Sequence, residues 1–334
     1  MRPLVLILTW ALMLSLTPNL AAQGLRELAT FDRKGHKFRV DRATLSPDGT
    51  ILAAGGGDTR GGELQLWDVS TASEIASLAG YSDSLYTLVF SADGKRLASG
   101  GGGPVRVWDV SNHNEIAAFN GGVQVSCLAL SPNGSKLAAA GWRQVKVWDI
   151  TSGNEIVSFR HHIPISGLLG AAFNRDLTTL AVPNYQEIDL WDLTTGKELA
   201  TLAEHRGEVG CLAYSPDGKT LVAASTRYYG RNFRWQGDVK LWDMTTRKER
   251  ALPEGTFGRV VDAALSPDGS TLALLEKPDL YAEPDLTLLV VDSGKRQVIR
   301  AVPGYTFRFL MFTTKGELRV IGTSVDAIRL WQVS

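Results

Sequence analysis

The residues best suited to gripping another molecule lie in one nine-residue stretch, Arg227-Tyr228-Tyr229-Gly230-Arg231-Asn232-Phe233-Arg234-Trp235. It holds three arginines and four aromatics and no acid. Arginine and large aromatics dominate the hot spots of protein interfaces, and the same types stack on sugars, bases and cations. Other chemistries find less support. His161 and His162 are adjacent on an extended chain and point opposite ways, so they do not form a two-ligand metal site by themselves. Neither a Gly-x-Ser-x-Gly nor a His-Glu-x-x-His motif is present. The glycine runs Gly55–Gly57 and Gly100–Gly103 lead into strands, whereas a phosphate cradle needs a helix N-terminus. Glu276, Asp279, Glu283 and Asp285 offer hard oxygens, but their spacing matches no calcium loop. The expectation is therefore no catalytic residue, no metal ligand and no cofactor.

What positions these residues is a unit written seven times. Its marker is a short apolar strand ending in Trp-Asp, at Trp67-Asp68, Trp108-Asp109, Trp148-Asp149, Trp191-Asp192 and Trp242-Asp243, with weaker copies at Val291-Asp292 and Trp331-Gln332. Spacings of 41, 40, 43, 51, 49 and 40 residues are the period of four-stranded propeller blades. In the first unit Val40–Leu45 reads as one strand, Ser46-Pro47-Asp48-Gly49 as a tight turn, and Ile51–Ala54 as the second strand. Glu63–Trp67 is the third and Glu74–Leu78 the fourth. First strands such as Cys127-Leu128-Ala129-Leu130 are apolar on both parities, as a sheet covered on both faces requires. The last unit lacks a fourth strand, and Glu27-Leu28-Ala29-Thr30-Phe31 matches Glu198-Leu199-Ala200-Thr201-Leu202 nearly residue for residue. The expected fold is all-β, a seven-bladed propeller closed by the N-terminal strand pairing in the last blade.

Five Trp-Asp pairs in register with turns and edge strands make residues 25–334 resemble the WD40-repeat β-propeller family. The resemblance implies a ring with a central channel that serves as a binding platform. The family's Gly-His before the first strand survives intact only at Gly35-His36, with Gly80-Tyr81 and Gly304-Tyr305 in its place elsewhere, and the short connections Gly101–Pro104 and Gly141–Gln144 carry no Asp. The hydrogen-bonded network that joins these groups to the Trp is thus expected to be mostly missing, leaving stability to packing.

In such a ring the second-to-third-strand connections share one rim with the connections between blades. Three are long: Gly55–Gly62, Thr226–Gly237 and Glu276–Pro284. Long connections on a rigid scaffold commonly carry function. Trp142, Tyr185 and Tyr281 fall in the corresponding connections of blades three, four and six. The candidate partner-binding arc is therefore Trp142, Tyr185, Tyr228, Tyr229, Arg231, Phe233, Arg234, Trp235 and Tyr281. Two alternatives stay open. The arginine-rich connection can pack on its acidic neighbour, or the channel mouth can hold a small ligand or glycan in a lectin-like or hydrolytic propeller with Asp58, Glu276 and Asp279 near the axis. Gln65, Arg106, Lys146, Asp189, Lys240 and Arg329, each two residues before a marker, read as long side chains with apolar stems on the blade and heads in water.

Composition narrows the partner. Lys+Arg and Asp+Glu are 35 each, so no global field favours nucleic acid. Residues 1–22 have the layout of a secretory signal peptide, with Arg2, the apolar run Leu4–Leu16 and a cleavage site after Ala22; an uncleaved anchor is the alternative. The mature part is then 23–334, secreted or periplasmic, with no membrane span left. Cys127 and Cys211 occupy equivalent positions two blades apart, beyond the ~7 Å reach of a disulfide, and read as buried apolar residues. The function expected is a monomeric, non-enzymatic scaffold for a protein or peptide partner.

Overall fold

The computed structural model describes residues 24–33, 39–58, 61–81, 84–122, 124–142, 144–160, 171–203, 205–229, 234–250, 252, 257–279, 282–324 and 326–333. Residues 1–22 lie outside them. The described residues form seven four-stranded antiparallel sheets. Blades one to six run in chain order over residues 42–81, 85–119, 125–160, 172–202, 208–250 and 259–299. Blade seven joins residues 306–333 to the N-terminal strand Leu25–Asp32. That strand pairs from Leu25 with Val333 to Asp32 with Ala327, with a bulge between Glu27 and Ala29. No helix among the described residues is long and apolar enough to cross a membrane.

Local chemistry repeats with the blades. In the turn after a first strand, Gly49 sits at φ 76° and its amide donates to the Ser46 carbonyl at 2.8 Å. The Asp48 carboxylate accepts from the Ser46 hydroxyl and the Thr50 amide. After the third strand Asp68 accepts from Ser70 and from the Thr71 amide. These side-chain acceptors replace backbone partners that a tight turn cannot supply. Each marker tryptophan is buried and meets a ring delivered from the preceding strand or connection: Phe31 for Trp67, Tyr81 for Trp108, Phe119 for Trp148, Phe159 for Trp191, His205 for Trp242 and Tyr305 for Trp331.

The core is a set of junctions. Each of its seven apolar clusters spans two neighbouring blades. The junction of blades seven and one contains Phe31, Leu45, Trp67 and Ile328 together, so the ring is closed by packing as well as by strand pairing. Opening it would bare two apolar faces, at roughly 25 cal/mol per Å².

Two readings of the sequence need correction. In blade six Leu289, not Val291, pairs with Leu272 as Trp242 pairs with Leu221. The Val290 amide bonds to the Lys295 carbonyl as the Asp109 amide bonds to Asn114. The true marker is Leu289-Val290; the aspartate at Asp292 drew the reading two residues too far. Secondly, two of the three long connections are prolonged hairpins. Strand pairing continues to Asp58 opposite Gly61 in blade one and to Tyr229 opposite Arg234 in blade five. The sequence showed glycines and polar residues there, but backbone pairing needs no apolar alternation once the ribbon has left the core.

Candidate functional site

The hairpins joining second to third strands form one rim of the ring. In blade three Gly141 pairs with Gln144, and the turn between presents Trp142, 47% exposed. In blade four Asn184 pairs with Glu187. Tyr185 stands in that turn at φ 54° and is 76% exposed, yet its backbone is pinned. The Val209 amide donates to the Tyr185 carbonyl at 2.7 Å, and the His205 amide to the Gln186 carbonyl at 3.1 Å. In blade five the ribbon pairs Arg227 with Gln236, Tyr228 with Trp235 and Tyr229 with Arg234. Arg231, Phe233 and Tyr281 lie outside the described residues. Blades three, four and five thus carry Trp142, Tyr185 and the ribbon on one rim.

The base of the ribbon is held by the next blade. The Gly237 amide donates to the Phe257 carbonyl at 2.6 Å, and a Cβ at Gly237 would stand 2.1 Å from the Gly258 carbonyl oxygen. Only glycine allows that crossing. Arg259 lies over the Trp235 ring, 5.2 Å from its centroid. Below, the Gly258 amide donates to Glu276 at 2.8 Å. Glu276 is 5% exposed and also receives Thr287 and Arg296; Asp285 pairs with Arg300 at 3.1 Å. Glu276 and Asp285 therefore engage groups in or next to their own blade. Of the three acids that a ligand at the channel mouth would use, Glu276 is taken by this framework, and Asp58 closes a hairpin. Asp279 caps a turn, accepting from the Ala282 amide at 2.8 Å.

The side chains two residues before the markers do not hold their heads in water. Arg106 pairs with Glu115, Lys146 with Glu155, Lys240 with Glu249 and Arg329 with Glu27. Each glutamate stands at or near the start of its outer strand. The cations also lie over rings, Lys146 over Trp148 and Lys240 over Trp242. Asp189, 2% exposed, accepts from Asn184 and Thr201. Blade six inverts the charge, with Arg296 opposite Leu289 and bound to Glu276. These groups fasten third strands to outer strands; they are not a ligand ring.

Two clusters were missed in the sequence. First strands of neighbouring blades touch all round the channel, and Asp262 spans from blade six to blade seven. It accepts from the Leu310 amide at 2.7 Å and from its own neighbour Ala263 at 3.0 Å. Burial pushes its carboxyl up to about 7, while the two amides and Arg42 pull the other way. Arg42 and Arg308 share this stretch of the channel; burial depresses both guanidinium groups, and Arg308 donates to Thr323 at 2.8 Å. Asp262 holds the register position of Cys211, so aligning Val260-Val261-Asp262 with Val209-Gly210-Cys211 would have exposed it as a carboxylate in an apolar slot. Cys211 is buried and Cys127 partly so; both thiols are free, and burial raises both. The second cluster surrounds the tryptophans of blades two and five. The Trp108 indole N–H donates to the Tyr81 hydroxyl at 3.0 Å and Ser99 at 3.2 Å. A satisfied network therefore exists in blade two, where none was expected. In blade five His205 takes Tyr81's place.

The family model for the WD domain, G-beta repeat, matches residues 26–68, 72–109, 114–149 and 196–243. With seven such blades closed into a ring, the assignment follows. This chain belongs to the WD40-repeat family. Blades four, six and seven escape the match in whole or in part, and the last two are those whose markers have lost Trp or Asp. A curated relative, small ribosomal subunit protein RACK1y of Oryza sativa subsp. japonica, is 30% identical over 131 residues, covering 39% of this chain and 34% of the relative. The aligned part is about a third of that protein. WD40 propellers are generally non-enzymatic scaffolds for protein interactions. Among the described residues no three His, Cys, Asp or Glu side chains converge as metal ligands. What this WD40 protein's rim offers chemically is aromatic surface and arginine on a rigid frame.

Proposed function

We propose that the protein is an exported scaffold that holds a protein or peptide partner against the rim carrying Trp142, Tyr185 and the blade-five ribbon. The observation that carries this reading is exposure. Among the described residues Trp142 and Tyr185 are the aromatics in the set of large exposed apolar side chains, and they stand in adjacent hairpins beside the ribbon. A rigid aromatic held out in water by a pinned backbone loses little entropy on binding, and the exposed Arg227 of the ribbon adds charge on the same rim. Export rests on the leader-like residues 1–22. Affinity capture from the secreted or periplasmic fraction tests the reading. The Trp142→Ala/Tyr185→Ala/Arg231→Ala variant is expected to melt like the parent and lose the partner, whereas undiminished recovery would remove this rim from consideration. N-terminal sequencing of the recovered protein should begin at Gln23; a start at Met1 would replace cleavage with anchoring.

A further inference from the structure

The opposite rim, built from the turns after first and third strands, has its own topography. Its turns are tied together in pairs. The Thr314 amide donates to the Pro47 carbonyl at 2.9 Å and the Asp93 amide to the Pro132 carbonyl at 3.2 Å; Arg175 reaches the Pro216 carbonyl at 3.3 Å. Blades seven and one, two and three, and four and five are joined in this way. Among the described residues no backbone bond joins the turns of blades one and two, or of six and seven. At those two junctions the rim opens into hollows of about 520 Å³ and about 490 Å³. Thr314 lines both, so the two hollows adjoin across the Thr314–Pro47 bond, the saddle of a composite groove.

The groove is apolar in its floor and carries carboxylates along its length, from Asp48 beside the saddle outward. Ile51 and Val110 line one hollow, Phe312 and Leu318 the other. Asp48, Asp93, Asp109 and Lys95 line one hollow, and Asp268, Glu317 and Lys315 the other. The turn explains only part of each aspartate. In blade three Asn133 fills the same position, accepting from the Ser131 hydroxyl at 2.9 Å and the Ser135 amide at 3.1 Å. The fold thus needs an oxygen there, not a charge. Serine hydroxyl and backbone donors nevertheless keep Asp268 ionised, its pKa lowered to about 2. At Asp48 and Asp93 burial opposes ionisation, but the donors prevail and the carboxyls stay below their ordinary range.

We propose that this groove receives an extended segment of a protein partner in which apolar side chains alternate with lysine or arginine. Alternation puts apolar groups on one side of an extended chain and cations on the other, which suits an apolar floor flanked by carboxylates. The segment would bind on the rim opposite the aromatic arc, so the ring could hold two proteins at once. The groove stands on its own observations and survives if the arc proves inert.

The probe is a fluorescein-labelled peptide of about twelve residues alternating valine and lysine, long enough at about 3.3 Å per residue to cross both hollows. Anisotropy against the full protein is expected to show saturable binding that weakens with salt. Asp48→Asn/Asp93→Asn/Asp268→Asn should melt like the parent and bind at least about tenfold more weakly. Thr314→Arg, which raises the saddle and adds a like charge while leaving the backbone bond, should do the same. Trp142→Ala/Tyr185→Ala should bind as the parent does. The proposal is overturned by equal binding of a valine–glutamate peptide, by undiminished binding in the Asn variant, by loss of binding in the Trp142→Ala/Tyr185→Ala variant, or by no saturable binding at all.

Discussion

Blades two and five place different residues at two of three equivalent points. In blade two Tyr81 bonds Ser99 at 2.6 Å, and both accept from Trp108. In blade five the slots hold His205, Ala223 and Trp242. His205 is 3% exposed, and among the described residues neither of its nitrogens nor the Trp242 indole nitrogen finds a hydrogen-bond partner. Lys240 lies over Trp242 and grips Glu249 at 2.8 Å, as Arg106 lies over Tyr81 and grips Glu115. The frame around the tryptophan is therefore shared, and only its polar centre differs. The difference teaches that a blade can close on packing alone, but that an unpartnered buried polar group then lowers the stability of the blade around it. The blade left in that condition is also the one that carries the ribbon.

The largest effect should come from making blade two resemble blade five. Tyr81→Phe with Ser99→Ala leaves the Trp108 N–H without an acceptor and should cost about 2–3 kcal/mol, read from urea unfolding. A loss below about 0.5 kcal/mol would mean that the network adds nothing to packing.

Acid should come next. Burial and Lys240 pull the His205 pKa down to about 4 from 6.5. The unfolded chain therefore takes up the proton first, and the stability this group confers, complete above pH 6.5, drains away as pH falls towards 4. Asp262, raised to about 7 from 3.8, acts oppositely: its contribution is present below pH 3.8 and is lost as pH rises through 7. Asp262 keeps some contact with channel water, so each effect is about 2 kcal/mol between pH 7 and 5, and the parent should be nearly flat there. His205→Gln should then be more stable at pH 5 than at pH 7. A variant curve parallel to the parent's would show that His205 does not titrate as its burial requires.

Repairing blade five should give a smaller change. Ala223→Ser places a hydroxyl where Ser99 stands in blade two, within reach of Trp242, and should add about 1 kcal/mol. A downfield shift of the Trp242 indole proton would accompany the new bond, and an unmoved resonance would contradict it. The smallest effects concern the cations. Arg106→Met and Lys240→Met should each cost about 0–1 kcal/mol, because their glutamates are well exposed. Lys240→Met should also raise the His205 pKa in an NMR titration, and an unchanged value would separate the two groups.

Much of the ring was legible because turns and markers carry their own chemistry. Pro47, Gly49 and Asp48 fix a turn wherever they occur, and the match of Glu27–Phe31 to Glu198–Leu202 foretold the closure. What failed was register and facing. Asp292 resembled a marker, but strand pairing after Gly269 sets Leu289 in place. The partnership of Arg106 with Glu115 depends on which strand lies beside which, a relation that spacing alone does not display. His205 was passed over because no glycine precedes it, although it stands seven residues after Glu198, as Tyr81 does after Glu74. For the candidate rim, sequence singled out Trp142 and Tyr185, and both are exposed. It also named Trp235, but could not foresee Arg259 lying over that ring.

The pairing of Leu25–Asp32 with Ala327–Val333 sets an order of events during biosynthesis. The ring's first strand in chain order must remain single while six complete blades are synthesised, and its mate is the ring's last strand. Until then a sticky edge is on offer to any other extended chain. Whatever attends the nascent protein must keep that edge idle until Ala327–Val333 has been made.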